Sequence, residues 1–97
     1  MVKSISLSQF NQWIAEGKKA KLIDIREAYE YQEGNLTQWN IPMEELMEIA
    51  FKWPKDEIFV LYCGSGKRSS AASYMLSRHV GHEHIYSLEG GYEMNAR

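Results

Sequence analysis

The feature that most constrains the fold is a continuous apolar run, Ile58–Tyr62, with the sequence IFVLY. A strand that is apolar at consecutive positions, rather than at alternate ones, buries both of its faces, as the central strands of parallel sheets do. Parallel neighbours are joined by crossover connections, which are usually helices. This run therefore predicts an α/β fold built on a mostly parallel sheet.

Strand-like and helix-like segments alternate along the rest of the chain, as this fold requires. Ser6 and Gln9 form a capping-box pattern at the start of the first helix, and Gly17 and Gly81 are typical of helix ends. The predicted strands lie at 3–6, 21–25, 58–62 and 84–88, with a further extended segment before Pro42, and the predicted helices lie at 6–17, 26–34, 43–53 and 69–80.

Several large apolar side chains are expected in the core or at its edge, because helical spacing places them on inward faces. They are Phe10, Trp13, Ile14, Phe51, Trp53 and Met75.

Composition and charge restrict the class of protein. The chain has 97 residues, 44% of them hydrophobic and 25% charged, which fits one small domain over residues 1–97. A formal net charge of −2 gives no reason to expect a nucleic-acid partner. The single cysteine excludes an internal disulfide, and no apolar run approaches membrane-spanning length. The start of the chain does not resemble a signal peptide, so a cytoplasmic protein without a membrane partner is expected.

The single cysteine, Cys63, directly follows the apolar strand and begins the segment CGSGKRSS. Open α/β sheets bind ligands beyond the carboxyl ends of their strands, where Cys63 is expected to lie. Gly64 and Gly66 allow backbone N–H groups to converge on one point, and a helix expected to begin near Ser69 adds unpaired N–H groups. The segment is therefore predicted to bind an anion.

The charges of this loop favour the same conclusion. Lys67 and Arg68 supply two cations, and no acidic residue lies between Cys63 and Arg78. Cations and N–H donors lower the pKa of a nearby thiol from ~8.5 to ~4–7, because they stabilise the thiolate. A buried structural cysteine would need none of these neighbours, so Cys63 is predicted to be a nucleophile.

Three segments resemble the rhodanese-type sulfurtransferase family, in the family's order and spacing: LIDIREAYEYQEGN followed by NIP, then VLYCGSGKRS, then HIYSLEGG. Together they span nearly all of residues 22–91. The resemblance implies a three-layer α/β/α fold with a mostly parallel central sheet of about five strands. It also implies a sulfurtransferase that needs neither a metal nor an organic cofactor.

By this resemblance, Cys63 attacks the outer sulfur of a small anionic donor and becomes a persulfide, from which a thiol, cyanide or a sulfur-accepting protein takes the sulfur. The two cations suit a dianion such as thiosulfate better than the monocarboxylate mercaptopyruvate. The implied donor-binding residues are those of the loop: Gly64, Ser65, Gly66, Lys67, Arg68 and Ser69.

Other positions are expected to support this site. Asp24 and Arg26 match the family's Asp-x-Arg signature and are expected to be structural. Asn35 stands where the family commonly has histidine, so support of the site by a histidine is not expected at this position. Gly90 and Gly91 match the family's closing double glycine and predict a turn.

Three further side chains, Trp39, His82 and His84, have open roles. Trp39 packs at the rim of the site or walls the substrate entrance. His82 and His84 could face the same way on an extended segment, but two histidines without a third ligand make a poor metal site. We therefore expect no metal. The resemblance places His82 where family members often have an aromatic residue, which implies that it packs against its neighbours.

Two other functions are compatible with the sequence. Cysteine-dependent phosphatases and arsenate reductases of the same fold use a loop one residue longer, whereas here four residues, GSGK, separate Cys63 from Arg68. The shorter loop surrounds a single sulfur atom better than it surrounds a phosphate group. The second alternative is a sulfur-relay or binding module that acts with a protein partner.

Overall fold

The computed structural model describes residues 3–96, which form a five-stranded parallel sheet with helices. The strands are β1 (Ser4–Ile5), β2 (Ala20–Asp24), β3 (Trp39–Asn40), β4 (Ile58–Tyr62) and β5 (Ile85–Leu88). Their order is β1-β5-β4-β2-β3, and every described pairing is parallel. The predicted fold class is confirmed, with the apolar run at the centre of the sheet. Met1, Val2 and Arg97, which the sequence assigns to the same domain, lie outside the described residues.

In the part of the chain that the structure describes, five helices accompany the strands: α1 (Leu7–Ala15), α2 (Ala28–Glu33), α3 (Met43–Ala50), α4 (Lys67–His79) and α5 (Gly91–Asn95). The predicted N-cap of α1 is present, since Ser6 Oγ accepts a hydrogen bond from the Gln9 N–H at 3.0 Å. Within residues 3–96 no helix has the length and apolar character needed to cross a membrane.

The central strand β4 is apolar throughout because each of its faces packs against a different apolar cluster. Phe59 and Leu61 point toward the cluster formed with α3 and α4, and Cys63 continues this face beyond the strand. Val60 and Tyr62 point toward the other cluster, which includes Phe10 of α1. Successive side chains of a strand alternate between the two faces, so an uninterrupted apolar run fills both.

The structure corrects four predictions. The helix after the loop begins at Lys67 rather than near Ser69, because Gly66 adopts a left-handed conformation (φ 104°) that turns the chain into the helix two residues earlier. Phe51, expected in the core or at its edge, is 73% exposed. It follows the last turn of α3, whereas Trp53, two residues later, stacks on Phe59 with ring centroids 4.1 Å apart. Ile14 and Met75 also lie on exposed faces of their helices.

Candidate active site

The carboxyl edge of the sheet brings the predicted site residues together. Asp24 pairs with Tyr62 at the ends of β2 and β4, and Cys63 follows immediately. On the other side of β4, Leu61 pairs with Ser87 near the end of β5. The loop after Cys63 therefore lies between segments that leave the ends of β2 and β5, as expected for ligand sites in parallel sheets.

Backbone N–H groups of the loop converge on the sulfur of Cys63. The Gly66 N–H donates to Sγ at 3.2 Å, and the Ser69 N–H donates to Sγ at 3.4 Å. The left-handed Gly66 places its own N–H toward the sulfur and starts α4 in the next residue. Ser69 Oγ lies 3.7 Å from Sγ. The loop thus forms a cradle of donors around one sulfur atom.

These donors change the acidity of the thiol. Cys63 is 1% exposed, and burial alone raises the pKa of its thiol. Hydrogen bonds from the N–H and hydroxyl of Ser69, and from the N–H groups of Gly66 and Arg68, outweigh burial and hold the pKa of Cys63 below its ordinary value of 9.0. A thiol with a lowered pKa forms the thiolate, which is the nucleophilic form.

The last helix, α5, holds the loop from the other side. The Tyr92 N–H donates to the Cys63 carbonyl at 2.8 Å, and the Glu93 N–H donates to the Gly64 carbonyl at 2.9 Å. Gly91 has a φ of +56°, and a Cβ on it would lie 2.6 Å from each of the same two carbonyl oxygens. The double glycine therefore makes the predicted turn and also permits a close contact with the cysteine loop.

Asp24 and Arg26 form a buried ion pair beside this site. The Arg26 Nη2 lies 2.7 Å from Asp24 Oδ2 and donates to the Gly34 carbonyl at 2.6 Å. Burial lowers the pKa of Arg26, but the Asp24 carboxylate raises it, so the guanidinium stays charged. The guanidinium also lies 4.2 Å from the centre of the Tyr92 ring. The pair thus connects β2 to the end of α2 and to α5.

Lys67 and Arg68, the two cations of the loop, face different sides. Lys67 borders a cavity of about 620 Å³ between β5 and α4, which we call the β5–α4 cavity; its lining includes Ser65, Ser87 and Gly90. Arg68 instead approaches the Glu30 carboxylate of α2 at 4.0 Å. Successive helical residues point about 100° apart, so a helix that begins at Lys67 separates its first two side chains.

Acidic side chains also reach the loop. Besides Glu30, Glu93 Oε2 would lie 3.4 Å from a Cβ placed on Gly64. The loop sequence contains no acid, but α2 and α5 supply two. The positive charge predicted from the loop alone is thereby reduced on the Arg68 side.

A protein-family model matches most of this chain. Residues 6–94 match the model of the rhodanese-like domain. The chain belongs to the rhodanese-like sulfurtransferase family.

This rhodanese-like domain is 31% identical over 93 residues to a sulfurtransferase of Allochromatium vinosum, covering 94% of this chain and 85% of that protein. It superimposes on the structure of a human single-domain sulfurtransferase with a TM-score of 0.77 and 25% identity, covering 100% of this chain and 98% of that one. It is also 33% identical over 85 residues to a tRNA uridine(34) hydroxylase of Sodalis glossinidius, covering 80% of this chain but 24% of that protein. The family fold thus occurs both in proteins of this size and within longer ones.

The remaining predicted positions of the rhodanese-like domain have local roles. Asn35 donates through its side-chain amide to the Tyr31 carbonyl at 3.1 Å, at the end of α2. Trp39 is 39% exposed, and its ring lies under the ammonium of Lys21. His82 is buried and packs edge-on against Phe59. Among residues 3–96 no group of three or more histidine, cysteine or acidic side chains is placed to hold a metal ion.

Four contributors to the site were not identified from the sequence. Glu30, Tyr92 and Glu93 come from helices distant along the chain, and no motif distinguishes them from other residues of those helices. Ser87 lies inside a strand, where a single serine looks like an ordinary polar interruption. Only the tertiary packing places them at the loop.

Proposed function

We propose that this rhodanese-like domain is a sulfurtransferase that moves a sulfane sulfur from thiosulfate to a thiophilic acceptor through a persulfide on Cys63. The proposal rests on the hydrogen bonds of the Cys63 sulfur, which accepts two backbone N–H groups of the loop. Four residues separate Cys63 from Arg68 in this loop. These donors stabilise the attacking thiolate, and the same electropositive loop favours an anionic donor.

The reaction has two covalent steps. The Cys63 thiolate attacks the outer sulfur of thiosulfate, so a new S–S bond forms while the bond between the two sulfurs of thiosulfate breaks. Sulfite leaves with the electron pair of that bond. A nucleophilic acceptor, which is cyanide in an assay or a thiol, then attacks the outer sulfur of the persulfide and releases the Cys63 thiolate. No electrons are exchanged with an external oxidant or reductant, so the cycle is a ping-pong group transfer.

The loop residues have distinct proposed roles. The N–H groups of Gly66 and Ser69 stabilise the sulfur anion in both steps. Arg68, whose side chain is 48% exposed, attracts the donor to the loop. Lys67 supplies its positive charge at the border of the β5–α4 cavity. The Asp24–Arg26 ion pair holds the surrounding helices and does not contact the sulfur donor.

Mass spectrometry of the intact protein tests the first step. After incubation with thiosulfate we expect a mass increase of about 32 Da, the mass of one sulfur atom, and its loss on addition of cyanide with release of thiocyanate. Cys63→Ala is expected to show neither. Failure to form the adduct with thiosulfate, mercaptopyruvate, glutathione persulfide and polysulfide alike would contradict sulfur transfer.

A parallel assay separates sulfur transfer from phosphate chemistry. The protein is incubated with a small aryl phosphate under the same conditions, and we expect no phosphate release that depends on Cys63. Release of phosphate without formation of thiocyanate would assign the loop to a phosphatase. If the adduct forms but only a protein thiol removes the sulfur, the domain is a sulfur relay rather than a free-standing thiosulfate:cyanide enzyme.

A further inference from the structure

Ser87, near the end of β5, has no part in the mechanism above, yet its hydroxyl lies one contact from the sulfur of Cys63. The side chain is 3% exposed, and its Oγ lies 2.8 Å from Ser69 Oγ. Ser69 Oγ in turn lies 3.7 Å from Cys63 Sγ. Strand β5 therefore places a buried hydroxyl directly behind the hydroxyl that faces the thiol.

The hydrogen bonds available to Ser69 show why this second hydroxyl matters. Ser69 has one hydroxyl proton, and its Oγ lies near three acceptors: the Gly66 carbonyl at 3.2 Å, Ser87 Oγ and Cys63 Sγ. When Cys63 is ionised, its sulfur can only accept hydrogen bonds. The Gly66 carbonyl already accepts the Ser70 N–H at 3.0 Å, so it keeps a partner when the Ser69 proton turns away.

We propose that Ser87 is a positioning residue, whose hydroxyl donates to Ser69 Oγ and thereby directs the Ser69 proton to the sulfur of Cys63. With the neutral thiol the sequence of donors reverses: the S–H donates to Ser69 Oγ, and Ser69 donates to Gly66 or Ser87. Connected hydroxyls polarise one another, so a donor behind Ser69 strengthens the hydrogen bond to the thiolate. The catalytic consequence of this role rests on the proposed function.

Replacement of Ser87 removes no charged group from the surroundings of the loop. These groups are Lys67 and Arg68 of α4, Glu30 of α2, Glu93 of α5, the Asp24–Arg26 pair at the end of β2, and Glu89, which lines the β5–α4 cavity together with Ser87. A change in the acidity of Cys63 on removing the Ser87 hydroxyl therefore reports on the hydroxyls.

The pH dependence of alkylation by iodoacetamide measures that acidity directly, because Cys63 is the single thiol of the chain. For Ser87→Ala we expect the midpoint of the alkylation profile to rise by about half to one pH unit, the size of one lost hydrogen bond. Ser87→Thr keeps a hydroxyl and is expected to retain the native midpoint. Ser73→Ala is the matched control: Ser73 is also a buried serine, but its hydroxyl donates to the Ser70 carbonyl at 3.0 Å, and no shift is expected.

A double substitution decides whether Ser87 acts through Ser69. In a Ser69→Ala background, Ser87→Ala is expected to cause no further shift. An unshifted Ser87→Ala profile, or an equal shift with and without Ser69, overturns the proposal. Alkylation needs no sulfur donor, so the two proposals fail separately. A native protein that forms no persulfide refutes the sulfurtransferase, and an unshifted Ser87→Ala variant of an active protein refutes only the role of Ser87.

Discussion

At the scale of single residues, backbone groups rather than charged side chains surround the sulfur of Cys63. Cys63 and the glycines after it are visible in the sequence, and they suffice to predict a thiol in a cradle of N–H groups. The contact of Gly91 with the carbonyls of Cys63 and Gly64 is not visible, because a double glycine also fits an ordinary turn. The distance between two backbone segments depends on the packing of the whole sheet edge.

Replacement of Gly91 tests this contact. Gly91→Ala places a Cβ 2.6 Å from two carbonyl oxygens at a φ of +56°. We expect a loss of about 3 kcal/mol or more in the free energy of unfolding and a large loss of sulfur transfer, because the loop must move. Gly17→Ala is the control: its φ is +83°, but a Cβ there meets nothing within 4 Å. This variant should lose about 1–2 kcal/mol and keep its activity. Equal effects would contradict a role for the contact.

The Asp24–Arg26 pair gives a second prediction for single residues. Asp24 is 0% and Arg26 is 5% exposed, so Asp24→Asn leaves a buried guanidinium without its counter-charge. We expect chemical denaturation to show a loss of about 3 kcal/mol in the free energy of unfolding. Glu16→Gln breaks the exposed Glu16–Lys18 pair and should cost less than about 1 kcal/mol. If Asp24→Asn is as stable as Glu16→Gln, the pair does not brace the site.

At the scale of secondary-structure elements, three helices determine the charge around the loop. The alternation of strands and helices was predictable, because apolar runs, glycines and caps are local signals. The residue at which α4 begins was not predictable in this way. That starting residue determines that the side chains of Lys67 and Arg68 face different sides of the helix. The approach of Glu30 to Arg68 depends on how α2 lies against α4, which no local pattern encodes.

The Glu30–Arg68 contact predicts an effect on donor affinity. Glu30→Gln removes a charge 4.0 Å from Arg68 and keeps a side-chain oxygen for the hydrogen bond from the Glu27 N–H. We expect kcat/KM for thiosulfate to rise about two- to fivefold, mainly through KM, because Arg68 becomes free to attract the dianion.

Added salt should reduce the difference between Glu30→Gln and the native protein, since screening weakens exposed charges. Glu16→Gln is again the control, because Glu16 follows α1 and precedes β2, at the edge of the sheet opposite the loop. An unchanged or higher KM in Glu30→Gln would show that Glu30 does not compete with the donor.

At the scale of the whole molecule, the fold was predictable because one strand with two apolar faces demands a covered parallel sheet. His82 lies at the amino edge of this sheet, opposite the loop of Cys63. Its Nε2 donates to the Pro54 carbonyl at 2.8 Å, and its Nδ1 accepts the His84 N–H at 3.0 Å. Both ring nitrogens are used by the neutral imidazole, so a second proton would displace the His84 N–H. Packing was predicted for this residue, but the hydrogen-bond partners were not, because Pro54 is distant in sequence.

The neutral state of His82 predicts how stability depends on pH. Burial lowers the pKa of His82 below its ordinary value of 6.5, and the charges of Lys55 and His84 lower it further, against the Pro54 carbonyl. As the pH falls from about 6.5 to the lowered pKa, the unfolded chain binds a proton that the folded chain does not, so the free energy of unfolding decreases.

His82→Gln, which cannot ionise, should be less stable at pH 8 but should lose less stability between pH 7 and pH 5. His79→Gln, at an exposed position in the last turn of α4, is the control for the replacement of a histidine by glutamine. Urea denaturation at several pH values measures these free energies, and an identical slope in native protein and His82→Gln would show that His82 does not cause the loss.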